Sequence, residues 1–252
     1  MFAVFLSMTS ALPFVMWPIR QRALALLLVV PLFLVCHPAL ADGDTRLRLM
    51  VLGDSLVAGH GLPQDEAFPD ILQAELAGAG HDVEVLNAGV SGDTTAGGLA
   101  RLDWSLAENP DALIIVLGGN DLLRGLEPAA TKANLAAIID RATSRQITVM
   151  LAGMQAPRNL GEDYAGEFDA IYTQLGARDG VIFYPFFLDG VALVPEFNQP
   201  DGMHPNRAGV DEIARRILPT VEALLAAVPD DRQPGLQFLL DGTGRGWGCK
   251  IL

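Results

Sequence analysis

The chain is poor in the residues on which several chemistries depend. Its 252 residues include two cysteines, Cys36 and Cys249, and the first lies in an N-terminal segment expected to be removed. One remaining thiol cannot form an internal disulfide, and it cannot build a cysteine metal site. Histidine occurs four times, with no second ligand at metal-site spacing, so neither a metal ion nor another cofactor is expected. Basic residues number 17 against 30 acidic ones, for a net charge of −13 and a pI near 4.6. No Lys/Arg cluster is present, so the counterion-displacing face that nucleic acid requires is missing. Tryptophan and tyrosine occur three times each, which is sparse for a surface that stacks on sugars. No Gly-x-Gly-x-x-Gly follows the first apolar run, which excludes that dinucleotide fingerprint.

What is present begins with an unusual first forty-one residues. Arg20 and Arg22 precede an apolar run, Ala23 to Val35, and Ala39-Leu40-Ala41 follows. A positive region, a thirteen-residue apolar core and a small-residue cleavage site make a secretory signal peptide over 1–41. A spanning helix needs roughly 18 or more apolar residues, so an uncleaved anchor is the poorer reading. The expected location is periplasmic or secreted, with no stable membrane span after cleavage. Translation from Met16 would leave a more compact signal, because residues 1–15 add only uncharged apolar chain. The tail, 229–252, holds Asp230-Asp231, Pro234 and five glycines and reads as poorly ordered.

Between these ends, 42–228 reads as one domain. The apolar runs Leu47–Leu52, Val83–Leu86, Ala112–Leu117, Ile147–Leu151 and Val181–Phe186 have the composition of strands buried on both faces of a parallel sheet. Helix-period stripes lie between them: Leu135, Ile138, Ile139 and Ala142; then Phe168, Ile171, Tyr172 and Leu175. A last one comprises Val210, Ile213, Ile217, Val221 and Leu224, with Pro219 expected to interrupt or kink it. Alternating strand and helix implies βαβ crossovers and a three-layer α/β domain. Active sites in such sheets gather at the carboxyl ends of the strands.

Four polar clusters interrupt the pattern, and three of them follow predicted strands. They are Gly53-Asp54-Ser55-Leu56, Asn87 to Thr94, Gly118-Gly119-Asn120-Asp121, and Asp201-Gly202-Met203-His204-Pro205-Asn206. Together they hold what acyl transfer needs. A serine hydroxyl attacks only when a base takes its proton, and histidine suits that task near neutrality. A carboxylate must fix the imidazole tautomer, and Asp201 stands three residues before His204. A backbone N–H beside Gly92 and the Asn120 amide are suitable donors for an oxyanion. The plainer alternatives are a helix cap for Asp54 and Ser55, and simple turns for Gly92 and Asn120. His60 and His81 lack a carboxylate at short fixed spacing and read as surface residues, with His60, near Ser55 in sequence, also a candidate for the mouth of the site.

These clusters, in this order, resemble blocks I, II, III and V of the SGNH (GDSL) hydrolases, nearest to the thioesterase I/lysophospholipase L1 (arylesterase) group. The likeness runs from about 46 to 228 and takes in Ala100-Arg101-Leu102, Met154-Gln155 and Pro185-Phe186-Phe187. It implies a flavodoxin-like α/β/α fold with a five-stranded parallel sheet. It also implies a nucleophile at Ser55, a base at His204, an orienting Asp201, and oxyanion donors from Ser55, Gly92 and Asn120. The Gly-x-Ser-x-Gly elbow of ordinary α/β-hydrolases is absent, because Val57 occupies its second glycine position. The implied activity is hydrolysis of a small-molecule or lipid ester or thioester. A carbohydrate acetylesterase of the same fold and a non-catalytic binding module are the alternatives. Leu122, Leu123 and Leu126, and the run Val191-Ala192-Leu193-Val194, are candidate acyl-groove residues, the alternative for each being core.

Overall fold

The computed structural model describes residues 46–229. The signal peptide expected over 1–41 and the tail from 230 onward lie outside the described residues. Five strands form one sheet: β1 (Leu47–Gly53), β2 (Val83–Gly89), β3 (Ala112–Val116), β4 (Thr148–Ala152) and β5 (Val181–Tyr184). All neighbouring pairs are parallel, in the order β2-β1-β3-β4-β5. The helices are α1 (Ser55–Ala58), α2 (Phe68–Gly78), α3 (Thr95–Ser105), α4 (Gly119–Leu123), α5 (Pro128–Thr143), α6 (Glu162–Gly176) and α7 (Arg207–Ala226). One layer pairs α2 with α7, and the other packs α3 on α5 and α5 on α6. This is the three-layer α/β/α arrangement with the flavodoxin-like strand order.

The central strands behave as their composition requires. Every residue of β3 is buried, and β1 and β4 are buried over most of their length. The two edge strands differ from expectation. β5 is only half-buried throughout and β2 mostly so, because each has a neighbour on one side alone. β5 also stops at Tyr184 rather than Phe186, since Pro185 offers no N–H to the ladder. All three helical stripes read from the sequence are buried.

The expected break at Pro219 is absent: α7 continues through it from Arg207 to Ala226. Pro219 lies on the exposed face. The carbonyl left without its helical N–H can therefore turn to water, and the buried stripe on the opposite face runs on through the proline.

Register sets the level of the site. Gly53 pairs with Gly89 on one side and with Val116 on the other, so β1, β2 and β3 end at a common height. The core beneath this edge carries the stability. Ile114, in the middle of β3, is completely buried, and Ile114→Ala is expected to lower the unfolding free energy by about 2–5 kcal/mol. Urea titration of the two proteins measures the difference directly.

Candidate active site

β1 ends at Gly53, and Ser55 opens the short helix α1 immediately afterwards. The turn is held by its cap, in which the Leu56 N–H donates to Asp54 Oδ1 at 3.0 Å. The preceding carbonyls are stapled by Arg101, whose Nη2 donates to Gly53 O at 2.9 Å and to Ala88 O at 2.8 Å. Its Nε donates to Asp93 Oδ2 at 2.6 Å, which ties the loop after β2 to the same side chain. Gly92 in that loop has φ +85°, a left-handed conformation open chiefly to glycine. Arg124 Nη2 donates to its carbonyl at 2.7 Å.

Asn120 is carried by α4, which begins after Gly118 at φ +113°. A Cβ at 118 would fall 1.9 Å from the Tyr172 hydroxyl, which donates to Leu117 O at 2.9 Å. The next residue, Asp121, is buried, and its carboxylate accepts from the Thr95 N–H at 2.8 Å and from Thr131 Oγ1 at 3.1 Å. The position of Asn120 is thus fixed from below by a saturated polar network.

The fourth cluster arrives from the other end of the chain. Asp201 Oδ1 accepts the N–H groups of Met203 at 2.9 Å and His204 at 3.0 Å. Asp201 Oδ2 faces His204 Nδ1 at 2.7 Å, and His204 Nε2 faces Ser55 Oγ at 3.0 Å. The backbone N–H of His204, then its ring, then the Met203 N–H hold the Asp201 carboxyl well below the usual carboxylate range. Its anionic form is therefore retained at all physiological pH values. Gln199 joins this loop to the one after α1: its N–H donates to His204 O at 2.7 Å and its Nε2 to His60 O, also at 2.7 Å. The His60 ring lies against the His204 ring, with centroids 4.5 Å apart.

Ser55, Gly92, Asn120 and His204 share one cleft of about 690 Å³. Its walls are largely apolar and include Leu122, Leu123, Met154, Phe186 and Leu193. Of the acyl-groove candidates, Leu122, Leu123, Ala192 and Leu193 line the cleft, whereas Leu126, Val191 and Val194 do not. Leu126 follows the Gly125 turn that ends the α4 segment, and its carbonyl is held by the Tyr164 hydroxyl at 2.9 Å. Within the run 191–194 the chain turns at Leu193, φ +62°, which leaves Ala192 and Leu193 on the cleft and Val194 off it. His60, the candidate for the site mouth, does reach the cleft, as do Met154 and Phe186 from the family-like segments and Met203, which lies beside His204. His81 does have a carboxylate partner, Glu222 at 3.1 Å, but the two are 141 residues apart in sequence.

Asp54 is shifted the opposite way to Asp201. Only 2 % of it is exposed, and burial pushes its carboxyl up to about 6 despite hydrogen bonds from Leu56 and Asn120. Because this lies above the ordinary value of 3.8, the folded state keeps a proton between about pH 4 and 6 that the unfolded chain releases. This group's contribution to stability therefore falls as pH rises through that window and is level above it. Relative to wild type, Asp54→Asn should gain up to about 3 kcal/mol in unfolding free energy between pH 4 and pH 7. Chemical denaturation of both proteins at several pH values checks this, and a pH-independent difference would contradict it.

The chain is similar to several known proteins. Residues 51–211 match the GDSL-like lipase/acylhydrolase family. The chain is 40% identical to "Esterase TesA" of Pseudomonas aeruginosa over 206 residues, covering 81% of this chain and all of that protein. It is 37% identical to "Thioesterase 1/protease 1/lysophospholipase L1" of Escherichia coli K12 over 186 residues, 72% of this chain and 86% of the other. Among solved structures, a crystal structure of TesA matches with a TM-score of 0.67 at 42% identity, covering 70% of this chain and 99% of that one. A monoethylphosphonate-inhibited esterase, EstA from Pseudoalteromonas, matches with a TM-score of 0.66 at 29% identity, covering 71% and 98%. A family 3 carbohydrate esterase from Clostridium thermocellum, at 21% identity and TM-score 0.59 over 73% of this chain and 100% of that one, shares the fold. With its fold, its four clusters and these relatives in agreement, the chain belongs to the GDSL (SGNH) lipase/acylhydrolase family.

Proposed function

We propose that this protein hydrolyses carboxylic esters and thioesters through an acyl-enzyme formed on Ser55, with His204 as base and Asp201 as its orienting carboxylate. The observation that carries the reading is the unbroken relay from Asp201 Oδ2 to His204 Nδ1 at 2.7 Å and from His204 Nε2 to Ser55 Oγ at 3.0 Å. In this reading Ser55 Oγ attacks the carbonyl carbon while its proton passes to His204 Nε2. The electron pair displaced onto the carbonyl oxygen is received by the N–H groups of Ser55 and Gly92 and by Asn120 Nδ2. Collapse of this intermediate breaks the bond to the leaving alcohol or thiol, which takes the proton from His204. Water then enters by the same route and releases the acid.

The composition of the cleft bears on substrate. Its leucine and methionine walls suit an acyl chain, and Phe186 is the only Phe, Tyr or Trp lining it among the described residues. A polysaccharide acetyl ester would call for stacking aromatics, and the carbohydrate-esterase likeness extends to fold alone. Relatives named as esterase, arylesterase and thioesterase/lysophospholipase support an ester or thioester substrate, and the apolar walls support an apolar acyl group. Export is part of the same proposal, supported by Arg20, Arg22, the apolar run behind them and Ala39-Leu40-Ala41. Among the described residues no helix is long and apolar enough to cross a membrane. An exported enzyme would meet lipid-derived or environmental esters rather than cytosolic acyl-CoA.

Hydrolysis of p-nitrophenyl esters from acetate to palmitate tests the proposal. The wild-type protein should favour medium chains over acetate, and Ser55→Ala should lose on the order of 10⁴-fold or more. A fluorophosphonate probe should label wild type and not the variant. Equal activity in both proteins removes Ser55 as nucleophile, and a strict acetyl preference moves the reading to a carbohydrate esterase.

A further inference from the structure

Asp54 is a buried ionisable side chain that the hydrolytic scheme leaves without a task. As a helix cap it needs one oxygen, and Oδ1 meets that need by accepting the Leu56 N–H. Serine or asparagine would cap as well without burying a charge. The second oxygen does something else: Oδ2 accepts Asn120 Nδ2 at 3.1 Å, across 66 residues of sequence. Nothing intervenes, because the neighbouring residue is Gly119, where a Cβ would already sit 3.4 Å from Oδ2. The other groups that bear on this carboxylate are Tyr172 on α6 and His204 before α7, through their charge interactions with it.

A side-chain amide has two N–H bonds in one rigid plane. When one is held by Asp54, the rotation of that plane is set and the other N–H is left for the cleft that Asn120 lines. The same carboxylate holds the turn that carries Ser55. We propose that Asp54 is a positioning residue, whose carboxylate locks the Asn120 amide in its donor orientation toward the oxyanion and aligns it with the Ser55 turn. The inference rests on the reading of Ser55 as nucleophile and Asn120 as oxyanion donor.

Replacing Asp54 by Asn keeps an oxygen for Leu56 but presents an NH₂ to the Asn120 NH₂. Two donors cannot bond, so the Asn120 amide turns over and offers an oxygen where the oxyanion needs a hydrogen. Asp54→Ser keeps the cap and simply deletes the partner of Asn120. The effect of either change must therefore pass through Asn120.

The test is a double-mutant cycle on the full chain, with kcat and KM measured on one p-nitrophenyl ester for wild type, Asp54→Asn, Asn120→Ala and the pair together. Asp54→Asn should lower kcat about 10²–10³-fold, the range for loss of one oxyanion donor, with KM within about threefold. Asn120→Ala should lose a similar amount, and the double variant should be no worse than the weaker single by more than about threefold. A cap with a purely structural role would lose its full increment again in the Asn120→Ala background. The proposal is overturned if the losses multiply, or if Asp54→Asn keeps kcat within about threefold of wild type. Thermal unfolding reports whether each variant folds, and Asp54→Ser takes the place of Asp54→Asn in the cycle if the latter does not. Ser55→Ala separates the two levels: if it stays active, the proposed function itself falls. If it is dead while Asp54→Asn is not, only the role of Asp54 falls.

Discussion

Parallel strands in register place the ends of distant segments at one height, and the rest of this site depends on that constraint. Gly53 is paired with Gly89 and with Val116, so Ser55, Gly92 and Asn120 follow two, three and four residues beyond a common level. Backbone hydrogen bonding alone would allow that level, but it would not fix the loops above it. Arg101 supplies the missing tie, with its guanidinium bonded to the carbonyls of Gly53 and Ala88 and to the Asp93 carboxylate. A planar fork of donors is suited to gathering several acceptors at once. The tie joins the ends of β1 and β2 to the loop that carries Gly92.

The histidine reaches the site by a different route. Its loop follows no strand directly, and its conformation is set locally by the two N–H bonds to Asp201 Oδ1. Its placement over Ser55 then depends on long-range contacts. Gln199 bonds to the carbonyls of His204, Pro205 and His60, and so binds the loop before α7 to the loop after α1. A rigid local unit is thereby carried into position by a single polar bridge. Preorganisation of this kind is what a nucleophile and base need, since loss of alignment costs rate without costing stability.

The charge pattern of the site follows from exposure. Asp201 is wrapped by donors and held anionic, while Asp54 is buried and pushed toward its neutral form. Two carboxylates of one site thus differ in character, because donors favour the anion and desolvation opposes it.

Much of this was legible in the sequence. The short Val/Ile/Leu runs and 3.6-residue stripes identified the sheet and its covering helices, because burial on both faces leaves a periodic mark. Asp201 and His204 were legible as a pair because their contact is local. The edge character of β2 and β5, and the continuity of α7 through Pro219, were decided by neighbours that composition does not specify. The same holds for the cleft walls: Leu122 and Leu123 follow Asn120 directly and were found, whereas Leu126 and Val194 were displaced by turns at Gly125 and Leu193. The roles of Arg101, Gln199 and the second oxygen of Asp54 emerge only in the fold. Each joins groups far apart in the chain, and a contact across 48, 139 or 66 residues leaves no periodic signal from which to read it.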